Sequence, residues 1–180
     1  MKKFELTTKF ITNVAGKKLF RIKALVEFGN VKAGELGGYV EKEGNISQDG
    51  NAWVAGNACV DGNATVDGNA TVSGNAWVHG NAWVTDNTEV SGNATVSGNA
   101  EVSGNTDYAL AQGFGTEFRC TTFYRGKNKK IMVNCGCFHG DLEEFRKQVK
   151  ETRSGKIAKE YLMIADLMEY HFASEDSDDE

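Results

Sequence analysis

Cys135, Cys137 and His139 alternate along the chain, so an extended strand would turn all three to one face. Cys120, on a facing strand, would complete a tetrahedral zinc set. The spacing argues otherwise. In a zinc knuckle two Cys flank a tight turn, whereas Cys-x-Cys-x-His runs along one strand, and free Cys is among the most buried residue types. The reading is core thiols and no metal. His79 is a candidate general base, but a base needs an orienting partner and a place for substrate, and the sequence around it offers neither. The glycine-rich stretch 34–41 has neither Gly-Lys-Ser/Thr nor Gly-x-Gly-x-x-Gly, so it reads as a tight lead-in rather than a phosphate cradle.

Two charged sets point to binding rather than catalysis. Arg119, Arg125, Lys127, Lys129 and Lys130, with Phe123 and Tyr124, combine cations and aromatics as a nucleic-acid surface requires. Solvated hairpin lysines are the plainer account. Asp61, Asp67, Asp86, Glu89, Glu101 and Asp107 form an acidic series that could compete for a nucleic-acid-binding groove. Carboxylates kept for solubility would look the same. Nine acidic residues and no Lys or Arg lie between residues 43 and 117. Residues 1–42 hold nine basic and four acidic residues, and residues 118–174 hold eleven basic and seven acidic. An acidic middle therefore sits between basic flanks, and a phosphate-binding surface on it is excluded on charge.

A strict repeat must position these groups. Asn recurs every six residues from Asn45 to Asn105, and Val every six from Val54 to Val102. Ala stands two before most of these Val, and Gly precedes the Asn except at Asp86. The unit Asn-Ala-x-Val-x-Gly runs ten times from Asn45 to Gly104, the first copy degenerate. In extended backbone Ala and Val share one face and x takes the other. Gly-Asn suits a corner, and stacked Asn can form amide ladders. One hexapeptide cannot bury its own face, so the repeats must stack as a parallel β-helix. Outward Trp53, Trp77 and Trp83 would each hide roughly 150–250 Å² and need a cover, from the flanks, a subunit or a partner.

The flanks read as strands over 4–11 and 19–28 before the repeats. After them come strands over 117–124 and 130–137, a helix opened by Asp141 and a second helix over 155–172. Leu142, Phe145 and Val149 mark the apolar stripe of the first helix. The expected segments are 1–44 (strands and cap), 45–107 (β-helix), 108–173 (a ββαα module) and 174–180 (a disordered acidic tail). No run is long and apolar enough for a membrane span, and Glu5, Thr7, Thr8 and Lys9 interrupt any signal peptide behind the basic start. Four Cys fit a reducing compartment. The expected location is cytoplasmic.

The repeats resemble those of hexapeptide-repeat proteins, which implies a left-handed β-helix with three repeats per triangular coil, about three coils here, and a homotrimer. Acyltransferases with this repeat use a His base, which is the enzymatic alternative for His79. More closely, Leu19-Phe20-Arg21-Ile22-Lys23-Ala24-Leu25, Gly37-Gly38-Tyr39-Val40-Glu41 and Asn45-Ile46-Ser47 ahead of the repeats are similar to a family of small phage and prophage β-helix proteins. So is Cys135-Gly136-Cys137-Phe138-His139-Gly140-Asp141-Leu142-Glu143-Glu144-Phe145 with Ala158-Lys159-Glu160-Tyr161-Leu162. The likeness spans nearly the whole chain and implies a phage or prophage context in a bacterial host, in which a host protein is the expected partner; no cofactor is expected. A nucleic-acid-binding defence complex of nuclease type, blocked in an anti-CRISPR-like manner, is the expected target. A structural trimerisation element is the other non-enzymatic reading.

Overall fold

A computed structural model describes residues 2–173; the acidic tail expected to be disordered lies outside them. The repeats form a β-solenoid of about four turns. Each repeat after the first contributes one two-residue strand. Six residues hold one strand and one Gly-Asn corner, and three such units close a turn. After β1 (Phe4–Thr12), β2 (Lys18–Ala24) and β3 (Leu36–Val40) come β4 (Trp53–Val54), β5 (Cys59–Val60), β6 (Thr65–Val66), β7 (Thr71–Val72), β8 (Trp77–Val78), β9 (Trp83–Val84), β10 (Glu89–Val90), β11 (Thr95–Val96) and β12 (Glu101–Val102). Parallel pairing joins each to the strand eighteen residues on: Trp53 to Thr71 to Glu89, Cys59 to Trp77 to Thr95, Thr65 to Trp83 to Glu101. The Val and Ala slots are buried throughout, and Thr88 takes one Ala slot with its hydroxyl directed to Val102 O. At the corners the residue before Asn has positive φ, including Asp86 at 57°. The Asn amides stack as expected, Asn51 to Asn69 to Asn87 at 2.9 and 3.0 Å and Asn63 to Asn81 to Asn99 at 3.1 and 3.2 Å.

The solenoid starts earlier than the repeat suggests. The glycine-rich stretch is not a lead-in loop but β3, which pairs parallel with β5 through Tyr39–Cys59 and Val40–Val60. Ile46 bridges Val66 on the next face. Val40 to Ile46 keeps the six-residue step, whereas Ile46 to Val54 takes eight, so the degenerate first repeat holds a two-residue insertion at its corner. This added rung accounts for the extra turn. Gly37 and Gly38 are required by packing: a Cβ on Gly37 would lie 2.5 Å from Val54 O and one on Gly38 2.5 Å from Ala58 O. β1 and β2 continue the same sheet, in the order β1-β2-β3-β5-β8-β11. The N-terminal strands thus belong with the solenoid in one compact unit, Met1–Asn105.

Each turn's N–H groups meet the carbonyls of the next, as in Asn51 N to Gly68 O and Trp53 N to Ala70 O. On the face that begins with β4, the first turn's own carbonyls have no turn beneath them. Lys3 fills that gap. Its side chain is buried at 4% exposure, and Nζ donates to Asp49 O, Gly50 O and Ala52 O at 3.2, 3.3 and 3.0 Å. Burial lowers the Lys3 pKa, opposed by the charges of Asp49 and Asp67. At the other end of that face, Asn105 Oδ1 accepts the Glu89 N–H at 2.8 Å.

Thr106–Glu180 is a separate compact unit. It is ββββαα rather than ββαα. β13 (Tyr108–Ala111), β14 (Thr121–Arg125), β15 (Ile131–Cys135) and β16 (Phe138–Asp141) form one antiparallel sheet in sequence order. The extra strand at the end exists because Gly136, at φ 63°, breaks the run 130–137 into a hairpin turn. α1 (Leu142–Thr152) opens on a capping box, with Asp141 accepting from Glu144 N at 3.0 Å and Glu144 from Asp141 N at 2.9 Å. α2 (Gly155–Phe172) packs with it over Phe123, Val133, Phe145 and Ile164. Arg146 ties the helices together, reaching Glu169 at 2.6 Å, Asp166 at 2.8 Å and Glu143 at 2.8 Å.

Two stability outcomes follow, both read by urea denaturation. Lys3→Met orphans three carbonyls and lowers stability by at least about 3 kcal/mol, near 1 kcal/mol for each. Asp86→Gly relieves the left-handed corner and raises stability by up to about 1 kcal/mol.

Candidate functional site

The three Trp occupy the same slot of the repeat but differ in cover. Trp53 is buried at 3% exposure, with the Phe4 and Phe28 rings edge-on at 6.4 and 5.5 Å. Trp77 is half-buried, donates from Nε1 to Asp61 at 2.7 Å and stacks on His79 at 4.3 Å. Trp83 stands 45% exposed. Flanking strands therefore cover one Trp, a hydrogen bond and a ring engage the second, and the third is presented to solvent.

The acidic series divides in the same way. Asp61 is a correction: it is buried at 5% exposure, because Trp77, Asn13 Nδ2 at 3.1 Å and Lys17 at 3.6 Å all converge on it. Asp107 lies in the other unit and pairs with Arg125 at 3.0 Å. Of the remaining four, Glu101, Asp67 and Asp86 lie on the rungs and at the corner next to Trp83, and Glu89 lies beyond that corner on another sheet of the solenoid. Asp86 and Glu89 follow Trp83 along one turn and are exposed. Glu101 occupies the next rung above Trp83. Asp67 stands at the corner eighteen residues before Thr85, accepting from Gly68 N at 2.7 Å.

One corner column was not read from the sequence. Glu41, Asp61 and His79 stack on successive turns, as Glu41 N to Val60 O and Asp61 N to Val78 O show. Glu41 accepts from Gly62 N at 2.6 Å and from Lys17 at 3.1 Å. The Gly62 hydrogen bond chiefly holds the Glu41 carboxyl below its usual range, and the Glu41 contact chiefly raises Lys17. Asp61, the carboxylate one rung from His79, is already engaged by Trp77, Asn13 and Lys17, so the column is a clasp between the β1–β2 turn and the solenoid.

The basic hairpin is dispersed by its contacts. Arg125 is held by Asp107 and donates to Phe172 O at 2.7 Å, and Lys130 pairs with Asp141 at 2.8 Å. Phe123 and Tyr124 are fully buried, which removes the stacking platform. Lys127 and Lys129 stay exposed at the tip. Cys137 sits in the turn after Cys135 rather than beside it on a strand, and His139 contacts Asn134 at 2.7 Å. Among the described residues no group of three His, Cys, Asp or Glu could hold a metal.

A cleft in the C-terminal unit also escaped the sequence reading. Arg119 and Arg153, from the strand approach and the end of α1, border a cavity of about 80 Å³ with Tyr161 and Cys137. Tyr161 donates to Phe114 O at 3.2 Å; burial raises its pKa, and both guanidiniums oppose that rise. No spacing could have signalled it, since residues 40 apart meet only through the fold.

No protein-family model matches the chain, and a search of curated proteins finds no match. Among the described residues no helix is long and apolar enough to cross a membrane.

Because Glu41 has a lowered folded pKa, its contribution is present above the usual carboxylate value and is lost as pH falls through the folded value. Urea midpoints measured from pH 7 to pH 3 should fall less steeply for Glu41→Gln than for the wild type.

Proposed function

We propose that this chain is a non-enzymatic interaction protein whose solenoid corner around Trp83 binds a basic surface of a host macromolecule. The surroundings of Trp83 carry the reading. A half-exposed indole stands on a hydrogen-bonded rung, with Glu101 on the next rung, Asp67 and Asp86 at the corner that follows it and Glu89 on the face beyond. Between residues 43 and 117 the sequence supplies no cation to neutralise them. Trp is a favoured anchor of protein interfaces, and surrounding carboxylates select a cationic partner and speed encounter. The rung is held by backbone pairing on both sides, so little ordering is needed on binding.

The resemblance to phage and prophage β-helix proteins supplies the context: a left-handed coil, the cytoplasm of a bacterial host and a nuclease-type defence complex as target. Carboxylates at fixed spacing on a rod stand in for phosphates at the groove of such a complex. A homotrimer seated on Trp83 is the second reading, supported by the same exposed ring. It would bring three sets of carboxylates together and so tighten with salt, whereas docking to a basic partner weakens with salt.

Capture from host lysate by immobilised wild type, Trp83→Ala and Glu101→Lys tests the proposal. A nucleic-acid-binding protein retained by the wild type should be lost by about tenfold in both variants and released by salt. Equal retention by all three would sink it. Light scattering of the same preparations at low and high salt separates the trimer: a mass of three chains that persists at high salt and vanishes in Trp83→Ala assigns the indole to self-association.

A further inference from the structure

The geometry of the C-terminal unit points to a second site, independent of the solenoid: we infer that the cleft between Arg119 and Arg153 binds a small organic anion, an oxyanion head on a short apolar body. Two adjoining cavities share Cys135, Phe138, Gln148, Arg153 and Tyr161 in their walls. The larger, about 80 Å³, adds Arg119 and, beside it, Glu117, so its wall carries two guanidiniums against one carboxylate. The smaller, about 50 Å³, adds Phe145 and Val149. At about 10–15 Å³ for each water-sized body, the first holds roughly five to eight and the second three to five. Those are the sizes of a carboxylate or phosphate group and of a branched aliphatic end.

The charge fits the same ligand. Arg153 lies at the C-terminal cap of α1, and among the described residues its guanidinium donates to the neighbouring Thr152 O, at 3.3 Å. Among the described residues it has no carboxylate partner. Among the described residues the ion-pair partner of Arg119 is Glu117, at 4.0 Å and with both side chains exposed. A guanidinium presents a planar fork of donors that suits oxyanions. Gly136 leaves open the space that the far end of the Arg119 side chain occupies. Gly115 likewise leaves room for the Tyr161 hydroxyl, 2.5 Å from where a Cβ would stand. Gln148 adds an amide at the rim. Head and body of this kind occur together in a free branched-chain acid and at the carboxyl end of a peptide with an apolar last residue.

The test titrates the full chain, followed by NMR shifts, with isovalerate, acetate, 3-methylbutanol and inorganic phosphate. Isovalerate should bind about tenfold more tightly than acetate, through the extra buried carbons, and the neutral alcohol should not saturate. Arg119→Gln and Arg153→Gln should each weaken isovalerate at least about fivefold, Arg153→Lys less, and the hairpin-tip variant Lys127→Gln not at all. Isovalerate should also slow alkylation of the exposed Cys137 by iodoacetamide. Binding that survives both Arg→Gln changes in folded protein, or isovalerate no tighter than acetate or phosphate, would overturn the inference. A Val-terminated dipeptide binding more tightly than isovalerate assigns the cleft to chain ends, and a weaker one assigns it to free acids.

Discussion

Backbone hydrogen bonding between successive turns is the constraint on which the solenoid depends. Every two-residue strand is too short to hold itself, so its N–H groups must meet carbonyls seventeen residues on. That requirement fixes the eighteen-residue register, which in turn fixes what stands above what. It also creates two ends with unmet groups. Lys3 closes the carbonyl end of one face with an ammonium whose three donors match three carbonyls, and Asn105 closes the N–H end with a side-chain oxygen. A charge is buried there because it replaces a missing turn.

Once the register holds, the outward positions are released from folding. Trp53, Trp77 and Trp83 illustrate this. They share a slot, yet one is core, one is a hydrogen-bonded shoulder and one is surface, according to what the N-terminal strands reach. Phe4 and Phe28 cover Trp53, whereas among the described residues no such ring covers Trp83. The acidic residues divide likewise: Asp61 is absorbed by Lys17, Asn13 and Trp77, while Glu89 and Asp86 remain presented. A surface assembled from positions that folding does not need is free to be shaped by a partner.

The C-terminal unit works by different physics. Its core is a side-chain cluster between a sheet and two helices, with a capping box at one helix start and the Arg146 clamp between them. Its candidate cleft lies where glycines at turns open room for an Arg and a Tyr. Function in this unit thus depends on turn geometry, whereas in the solenoid it depends on stacking.

The sequence by itself determined the repeat, its inward and outward faces, the Asn corners, the start of α1 and the span of α2, because each is set by local periodicity or a local cap. Only the tertiary structure decided the rest. β3 joins the solenoid although it lacks the Asn-Ala-x-Val pattern, because its glycines allow a close approach over Val54 and Ala58. Lys3, which looked like the basic start of an export signal, became a buried plug because carbonyls 46 to 49 residues away needed a donor. Asp61 left the candidate surface and Arg153 entered one, through partners that no spacing in the chain announces. Burial and pairing are properties of what meets in space, and a period of six specifies only what meets its own copies.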